Sequence, residues 1–461
     1  LALAAVDFIE DIRLVDGPVL WTAWAAGIAG GAYLLWHSGR RHTLSATTVV
    51  ITAALLLGAA LVAGTHLMLI YVWSVFPEEL PWETLAWSVP AVAGLMFWLL
   101  RLHGIWGRKP FLAAIPAPVR PVAHRVRSTA AATAALLGVV FLSAVQVNAY
   151  FGLNHSVSDL TGTAVARIPV LEDALKRQPG ESPAVRLSDW TTPGGLPPDG
   201  TIRKTAIPGT VSGFHSRDAY VYFPPAYQGS PRPALPVLVL FSGQPGAPSD
   251  WLTGGALRSR MDRFAADHGG VAPVVVVVDP NGSASGNTLC MDSRIARADT
   301  FLSRDVPDWI RSTLDVNTDP QQWAVGGFSY GATCAMQMVT RHPDIYSAAL
   351  AFSSEKEPAL AKERHKTIDA SFGGDTAAFE ALTPMRLLQE RRYEGKAIYF
   401  GAGERDPEFI EYMALLSAAA RKAGFDVEAH RIPNAGHSWE TASRGMPGGL
   451  DFLAARWGIK R

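Results

Sequence analysis

Four apolar stretches in the first third of the chain, at about 19–36, 47–73, 85–106 and 129–150, restrict its folds more than anything else in the sequence. Each approaches or exceeds the roughly 20 residues that carry a helix across a bilayer, and buried helices of soluble domains rarely run this long. Lipid offers no partners to backbone N–H and C=O groups, so the stretches predict four transmembrane α-helices. Pro90 interrupts the third and is tolerable there, because neighbouring helices can re-satisfy the freed groups. Trp21, Trp24, Trp36, Trp73, Trp82, Trp87, Trp98 and Trp106 lie near the ends of the stretches, where an aromatic belt would place them.

Loop charges orient the spans. Arg40 and Arg41 separate the first two, and Arg101, Arg108, Lys109, Arg120, Arg125 and Arg127 surround the third connection. These loops are predicted to be cytoplasmic. Acidic residues mark the opposite side: Asp7, Glu10, Asp11 and Asp16 before the first span, and Glu78, Glu79 and Glu83 in the second connection. Both termini are therefore expected outside. The first span lacks a basic n-region and a small-residue cleavage site, so it reads as an anchor and not as a cleaved signal. The chain opens on leucine, which leaves the true start open. His66, near the outer end of the second span, reads as a neutral interfacial histidine.

The remaining two thirds have a different character. The chain is 48% hydrophobic and 18% charged, with the imbalance concentrated at its front, and its formal net charge is zero, which gives no footprint for a nucleic-acid partner. Residues 1–150 read as the membrane domain and 151–200 as a membrane-exit segment and linker punctuated by Pro179-Gly180, Pro193-Gly194-Gly195 and Pro197-Pro198. Residues 201–461 read as a catalytic domain.

Within that domain Gly327-Phe328-Ser329-Tyr330-Gly331 follows the apolar run Trp323 to Val325 and precedes a helical pattern, Ala332 to Thr340. Strand, tight turn and helix make G-x-S-x-G a nucleophile elbow, in which small residues let the backbone expose the serine Oγ. A serine hydroxyl needs a histidine base, and the base needs a carboxylate to orient it. In this architecture both follow the serine in sequence. Lys396 to Phe400 reads as a late strand, and the loop after it offers Glu404 and Asp406. Asp406 is preferred because it lies farther along the turn, just before a helix at Glu408 to Ala423. A strand at Phe425 to Ile432 leads to Asn434-Ala435-Gly436-His437, so His437 is the predicted base. The oxyanion needs two N–H donors. Tyr330, after the nucleophile, supplies one, and the loop after Leu235 to Phe241 supplies the other at Gln244, since Pro245 has no N–H.

Segments LPVLVLFSGQPGAPSDW, VVVVVDPNG, DVPDWI, WAVGGFSYGATCAM, RHPDIYSAALAFSSE and NAGHSW resemble the putative-esterase branch of the α/β-hydrolases, which includes esterase D and the secreted mycobacterial mycolyltransferases. The resemblance spans about 202–457 and implies a mostly parallel sheet flanked by helices, with ester hydrolysis or acyl transfer as its chemistry. The mycolyltransferases use a glutamate acid, whereas the acid here reads as Asp406. In this fold Cys290 and Cys334, the chain's two cysteines, fall on neighbouring elements, so a disulfide is expected. It would close a loop of about 45 residues, worth on the order of 4 kcal/mol by chain entropy. Two separated cysteines and scattered histidines show no metal-ligand spacing, and no cofactor is expected.

Ligands of such sheets bind beyond the carboxyl ends of the strands. Asp250, Asp292 and Glu355 each follow one of those ends. If two of them face the pocket they would favour a cationic acyl group, which leans the reading toward an aminoacyl ester such as aminoacyl-phosphatidylglycerol. The sequence thus predicts a membrane-anchored, extracytoplasmic serine esterase acting on a lipid ester. Acyl transfer to a sugar in the manner of the mycolyltransferases, or a non-catalytic envelope scaffold, is the alternative. The acyl group, the alcohol and the oligomeric state are open.

Overall fold

The computed structural model describes residues 10–39, 44–106, 121–178 and 184–460. Asp7, Arg40, Arg41, Arg108, Lys109 and Arg120, used above to orient the spans, and the Pro179-Gly180 pair lie outside them. The chain divides into two compact units, Leu1–Thr161 and Gly162–Arg461.

The first unit is built on four long helices, α1 (Gly17–Gly39), α2 (Leu44–Leu67), α3 (Trp82–Trp106) and α4 (Val122–Phe151). All four are long and apolar enough to cross a membrane, with mean hydropathy between 1.3 and 2.1 over their most apolar windows. A single π-helical stretch, Met68–Val72, extends α2. Glycine sets how closely α1 and α4 approach. A Cβ on Gly30 would meet the Ala135 carbonyl, and one on Gly138 would lie 2.5 Å from the Ala26 carbonyl. Small residues at such crossings let backbones pack directly, which is how helices associate where lipid provides no hydrophobic drive. Indole N–H groups add polar ties: Trp98 donates to Thr133 Oγ1 at 3.1 Å and Trp106 to Thr129 Oγ1 at 2.9 Å. Trp21, Ile28, Val49, Leu56 and Leu137 point outward, an apolar surface suited to lipid.

The second unit is built on an eight-stranded sheet flanked by helices, with a small two-stranded sheet beside it. Its strands are β1 (Thr201–Thr205), β2 (Ala219–Phe223), β3 (Val237–Phe241), β4 (Val274–Val278), β5 (Trp323–Phe328), β6 (Ala348–Phe352), β7 (Ala397–Gly403) and β8 (Asp426–Ile432), in the spatial order β8-β7-β6-β5-β3-β4-β2-β1. From β8 through β4 every pairing is parallel, and β2 is antiparallel to both β4 and β1. Strands β3 to β7 are buried throughout, as parallel strands covered on both faces must be, and the antiparallel β2 is buried with them. Their sequences are accordingly continuous apolar runs with no alternation. The helices that matter for the site are α5 (Leu257–Asp267), α6 (Val306–Thr313), α7 (Tyr330–Arg341), α8 (Pro407–Lys422) and α9 (Trp439–Trp457). This is the α/β-hydrolase architecture expected from the sequence.

The segment read as a linker is more structured than its Pro and Gly content suggested. Val170 bridges Lys204, the Arg177 amide donates to the Thr313 carbonyl at 2.7 Å, and Val185–Arg186 pairs with Pro233–Ala234. Tyr227 also donates its hydroxyl to the Leu175 carbonyl at 3.0 Å. From Gly162 onward the segment is therefore part of the second unit, held mostly by main-chain bonds to residues distant in sequence.

Backbone crowding at the β5–α7 turn explains the glycines of the pentad. A Cβ on Gly331 would lie 2.3 Å from the Phe241 carbonyl oxygen, and one on Gly327 would lie 2.0 Å from the Gly331 carbonyl carbon. Both obstacles are backbone and cannot move aside. Gly331→Ala should therefore lower the thermal midpoint of the solubilised protein by about 5 °C or more, as expected for a clash costing about 2 kcal/mol. A midpoint within a degree of the parent in a thermal melt would contradict this account of the turn.

Candidate active site

Ser329 sits between β5 and α7 with φ 55° and ψ −124°, a conformation few non-glycine residues adopt. Holding it costs on the order of 1–3 kcal/mol, which the surroundings must offset. Its amide donates to the Phe352 carbonyl of β6 at 2.9 Å, and its carbonyl accepts from the amides of Ala332 and Thr333. The buried side chain meets its partner directly: Ser329 Oγ lies 2.9 Å from His437 Nε2. His437 Nδ1 lies 2.9 Å from Asp406 Oδ2, and Asp406 is itself buried.

The partners arrive from the carboxyl ends of β7 and β8. Asp406 precedes α8, whose first residue is Pro407, and His437 lies in the loop between β8 and α9. That loop crosses Gly403 so closely that a Cβ there would lie 2.5 Å from the Gly436 carbonyl. Glu404, the other carboxylate of the acid loop, has a different place. Its Oε2 accepts the Asn434 amide at 3.1 Å and so fastens the histidine loop. Aromatic rings enclose the imidazole: Phe409 at 4.1 Å and Phe328 at 5.2 Å between centroids, with Trp439 beyond Phe328 and Trp251 beyond Trp439. They exclude water from one side of the histidine and fix its ring plane.

On the other side of Ser329 the loop after β3 is pressed against the elbow. A Cβ on Gly331 would lie 2.7 Å from the Ser242 carbonyl, and one on Gly243 would lie 3.5 Å from the Phe328 carbonyl. Among the described residues the backbone amides of Tyr330 and Gln244 have no backbone acceptor, which suits both to act as donors. A buried ion pair with no local signature in the sequence supports this loop. Asp279, fully buried after β4, takes the Arg217 guanidinium at 2.8 Å on each oxygen, and Arg217 Nη2 also donates to the Gly246 carbonyl at 2.9 Å. The bond to Asp279 holds the guanidinium pKa above its usual value.

The three carboxylates proposed for substrate sit in different settings. Asp292 accepts from Thr300 with both oxygens, the amide at 2.9 Å and the hydroxyl at 2.6 Å, and thus caps a helical turn. Asp250 accepts the Ala247 amide at 2.8 Å. Burial pushes its pKa up to about 6, against the opposing pull of that amide and of Arg217. Glu355 follows β6 and is buried behind the elbow, where its amide donates to Thr333 Oγ1 of α7 at 3.0 Å. A sequence shows that an acid follows a strand end, but not whether a nearby amide claims it. Cys290 and Cys334 are joined, with Cα atoms 5.5 Å apart. Among the described residues, no group of three or more His, Cys, Asp or Glu is arranged to hold a metal ion.

A nucleophile on a strained turn, an imidazole bonded to it, a buried carboxylate behind the imidazole and free amides beside it form an arrangement suited to acyl transfer. A model of the family described as Putative esterase matches residues 214–450. An uncharacterized protein of Corynebacterium glutamicum is 33% identical over 421 residues, covering 89% of this chain and 90% of that one. Solved structures similar to part of this chain include a ferulic acid esterase (20% identity, TM-score 0.47, 56% of this chain and 99% of that one). An S-formylglutathione hydrolase from Agrobacterium tumefaciens (18%, 0.47, 56% and 96%) and MPT51 of Mycobacterium tuberculosis (18%, 0.42, 56% and 99%) are also similar. With the matched region taking in the elbow, the acid loop and the histidine loop alike, the chain belongs to the Putative esterase family and is a serine hydrolase of carboxylic esters.

Proposed function

We propose that this protein is a membrane-anchored, extracytoplasmic esterase that hydrolyses an ester of a membrane lipid through Ser329, His437 and Asp406. The observation that carries the reading is the continuous relay of two 2.9 Å contacts from Asp406 through His437 to Ser329, in a chain that also holds four span-length helices.

Asp406 keeps the imidazole in the tautomer with a proton on Nδ1, which leaves Nε2 to accept the Ser329 proton as Oγ attacks the ester carbonyl. The amides of Tyr330 and Gln244 receive the developing oxyanion. His437 then protonates the departing alcohol, an acyl-serine remains, and water activated by the same histidine releases the acid. Transfer to a sugar hydroxyl would differ only in the acceptor, so analysis of products with and without trehalose distinguishes it from hydrolysis. A scaffold without catalysis would leave Ser329 unlabelled by a fluorophosphonate. Comparing the lipids of membranes carrying active and Ser329→Ala protein identifies the ester, because the uncleaved species accumulates.

The aminoacyl version of the substrate requires that a carboxylate beside the site meet an ammonium, and Glu355, buried just beyond β6, is the one to test. A carboxylate at a partly desolvated site pairs with an ammonium far better than an exposed one does.

Ser329→Ala and His437→Ala should each lower kcat/KM on a simple aryl ester by about 10⁴-fold or more without unfolding the protein. Asp406→Asn should cost about 10³-fold or more, and Glu404→Gln less than about tenfold; the reverse ranking would move the acid to Glu404. Both native cysteines are disulfide-bonded, which gives sidedness a low background. In intact cells an impermeant thiol reagent should label Glu79→Cys and leave Arg120→Cys untouched. Labelling at position 120 would reverse the topology. If Glu355 receives an ammonium, Glu355→Gln should raise KM for an aminoacyl ester about tenfold or more and leave a neutral ester of equal size unchanged. Equal effects on both esters would leave an uncharged acyl chain as the substrate.

A further inference from the structure

The side chain of Tyr330 does something that its place after the nucleophile does not require. Its hydroxyl is buried and bonded on several sides: it accepts the Cys290 amide at 3.1 Å, and it lies 3.2 Å from Thr288 Oγ1 and 3.3 Å from Cys290 Sγ. Thr288 gives its own proton to the Pro280 carbonyl at 2.8 Å, so the Tyr330 hydroxyl is the donor toward Thr288. Burial holds the phenol neutral by pushing its pKa up.

Cys290 is fastened a second time one turn along the helix, through its disulfide to Cys334. The same face of α7 continues the attachment, with Gln337 Nε2 donating to the Leu289 carbonyl at 2.8 Å and Arg341 Nη2 to the Cys290 carbonyl at 2.5 Å. Residues 330, 334, 337 and 341 recur at the spacing of one helix face. The segment they hold is itself constrained, with Leu289 at φ 60° and Cys290 at φ 50°, and Leu289 and Met291 pack with Ile368 and Phe379 in a separate buried cluster. Helix α7 is thus clamped to the loop after β4 from its first residue to its last.

We propose that Tyr330 is a positioning residue whose phenol, through Thr288 and Cys290 and in concert with the Cys290–Cys334 disulfide, holds its own backbone amide aimed at the oxyanion. This rests on the triad reading above. A strained residue such as Ser329 persists only where its neighbours over-determine it, and the amide that follows it inherits the same demand. The α7 amide ladder fixes the direction of the helix, whereas the phenol and the disulfide fix its rotation and depth at the first turn. Donors of this kind act by being in place before charge develops, so loosening one raises the barrier more than it weakens ground-state binding.

The test uses the full-length protein in detergent, with a neutral aryl ester as substrate and an aryl boronic acid as a mimic of the tetrahedral oxyanion. Tyr330→Phe keeps the ring and removes the hydroxyl. It should lower kcat about tenfold, weaken boronate binding by a similar factor, and leave KM within about twofold. Cys290→Ser combined with Cys334→Ser should act in the same direction. The triple variant should lose less than the product of the two effects, because both act on one turn. If Tyr330→Phe does not fold, Thr288→Val removes the same hydrogen bond with the tyrosine in place and should show the same pattern. Unchanged kcat in the folded variant, or a fall in kcat with boronate affinity intact, overturns the proposal. Failure of the wild-type protein to react with a fluorophosphonate at Ser329 would instead overturn the triad reading on which it stands.

Discussion

The catalytic unit is organised around one unfavourable backbone conformation. Ser329 at φ 55° cannot be held by its own propensity, and the contacts around it read as the means of holding it. Its amide is tied to β6, its carbonyl to the start of α7, and the glycines on either side admit main chain where no side chain would fit. The sheet order places β5 between β3 and β6, so the turn has a rigid strand on each side. From that position Oγ points to the carboxyl ends of the strands, where the loops after β3, β7 and β8 can reach it. Each of these loops is in turn held by a polar tie: Arg217 on Asp279 for the first, Glu404 on the Asn434 amide between the other two. The rigidity of the site therefore comes from interactions outside it.

The two units obey different physics. In the helical unit the backbone is satisfied within each segment, and what sets packing is how small the residues at the crossings are, as Gly27, Gly30 and Gly138 show. In the hydrolase unit burial of continuous apolar strands drives assembly, and polar ties decide local geometry. The Cys290–Cys334 bond adds a covalent tie to the second unit. It joins the nucleophile helix to the loop after β4, two elements that meet only in the folded sheet.

Periodicity and local turn chemistry made the elements legible. The runs at Val274 to Val278 and Ala348 to Phe352 are strands with the limits read from the sequence, and the pentad lies at a strand–helix turn as its glycines require. The order of serine, acid and histidine was readable because strand, loop, helix and strand must succeed one another for the loops to meet at one sheet edge. Asp406 could be separated from Glu404 only by its place along the turn, and the geometry separates them outright: one faces the imidazole, the other a backbone amide. How residues 162–200 dock onto the second unit is not legible in the sequence, since Pro and Gly report on local regularity alone.

What the sequence determined alone was therefore everything set by short-range pattern: span-length helices, buried parallel strands, a nucleophile elbow and the order of its partners. Tertiary structure decided which polar groups are already spent. Asp292 and Asp250 look like ligand carboxylates in the sequence and accept bonds from backbone amides in the fold, whereas the Tyr330 phenol, Thr288 and the Arg217–Asp279 pair tie the site together through contacts that no local pattern announces. The reason is physical. A side chain's chemistry is fixed by its type, but its availability depends on hydrogen-bond partners that can lie tens of residues away, and only folding brings those partners within 3 Å or so.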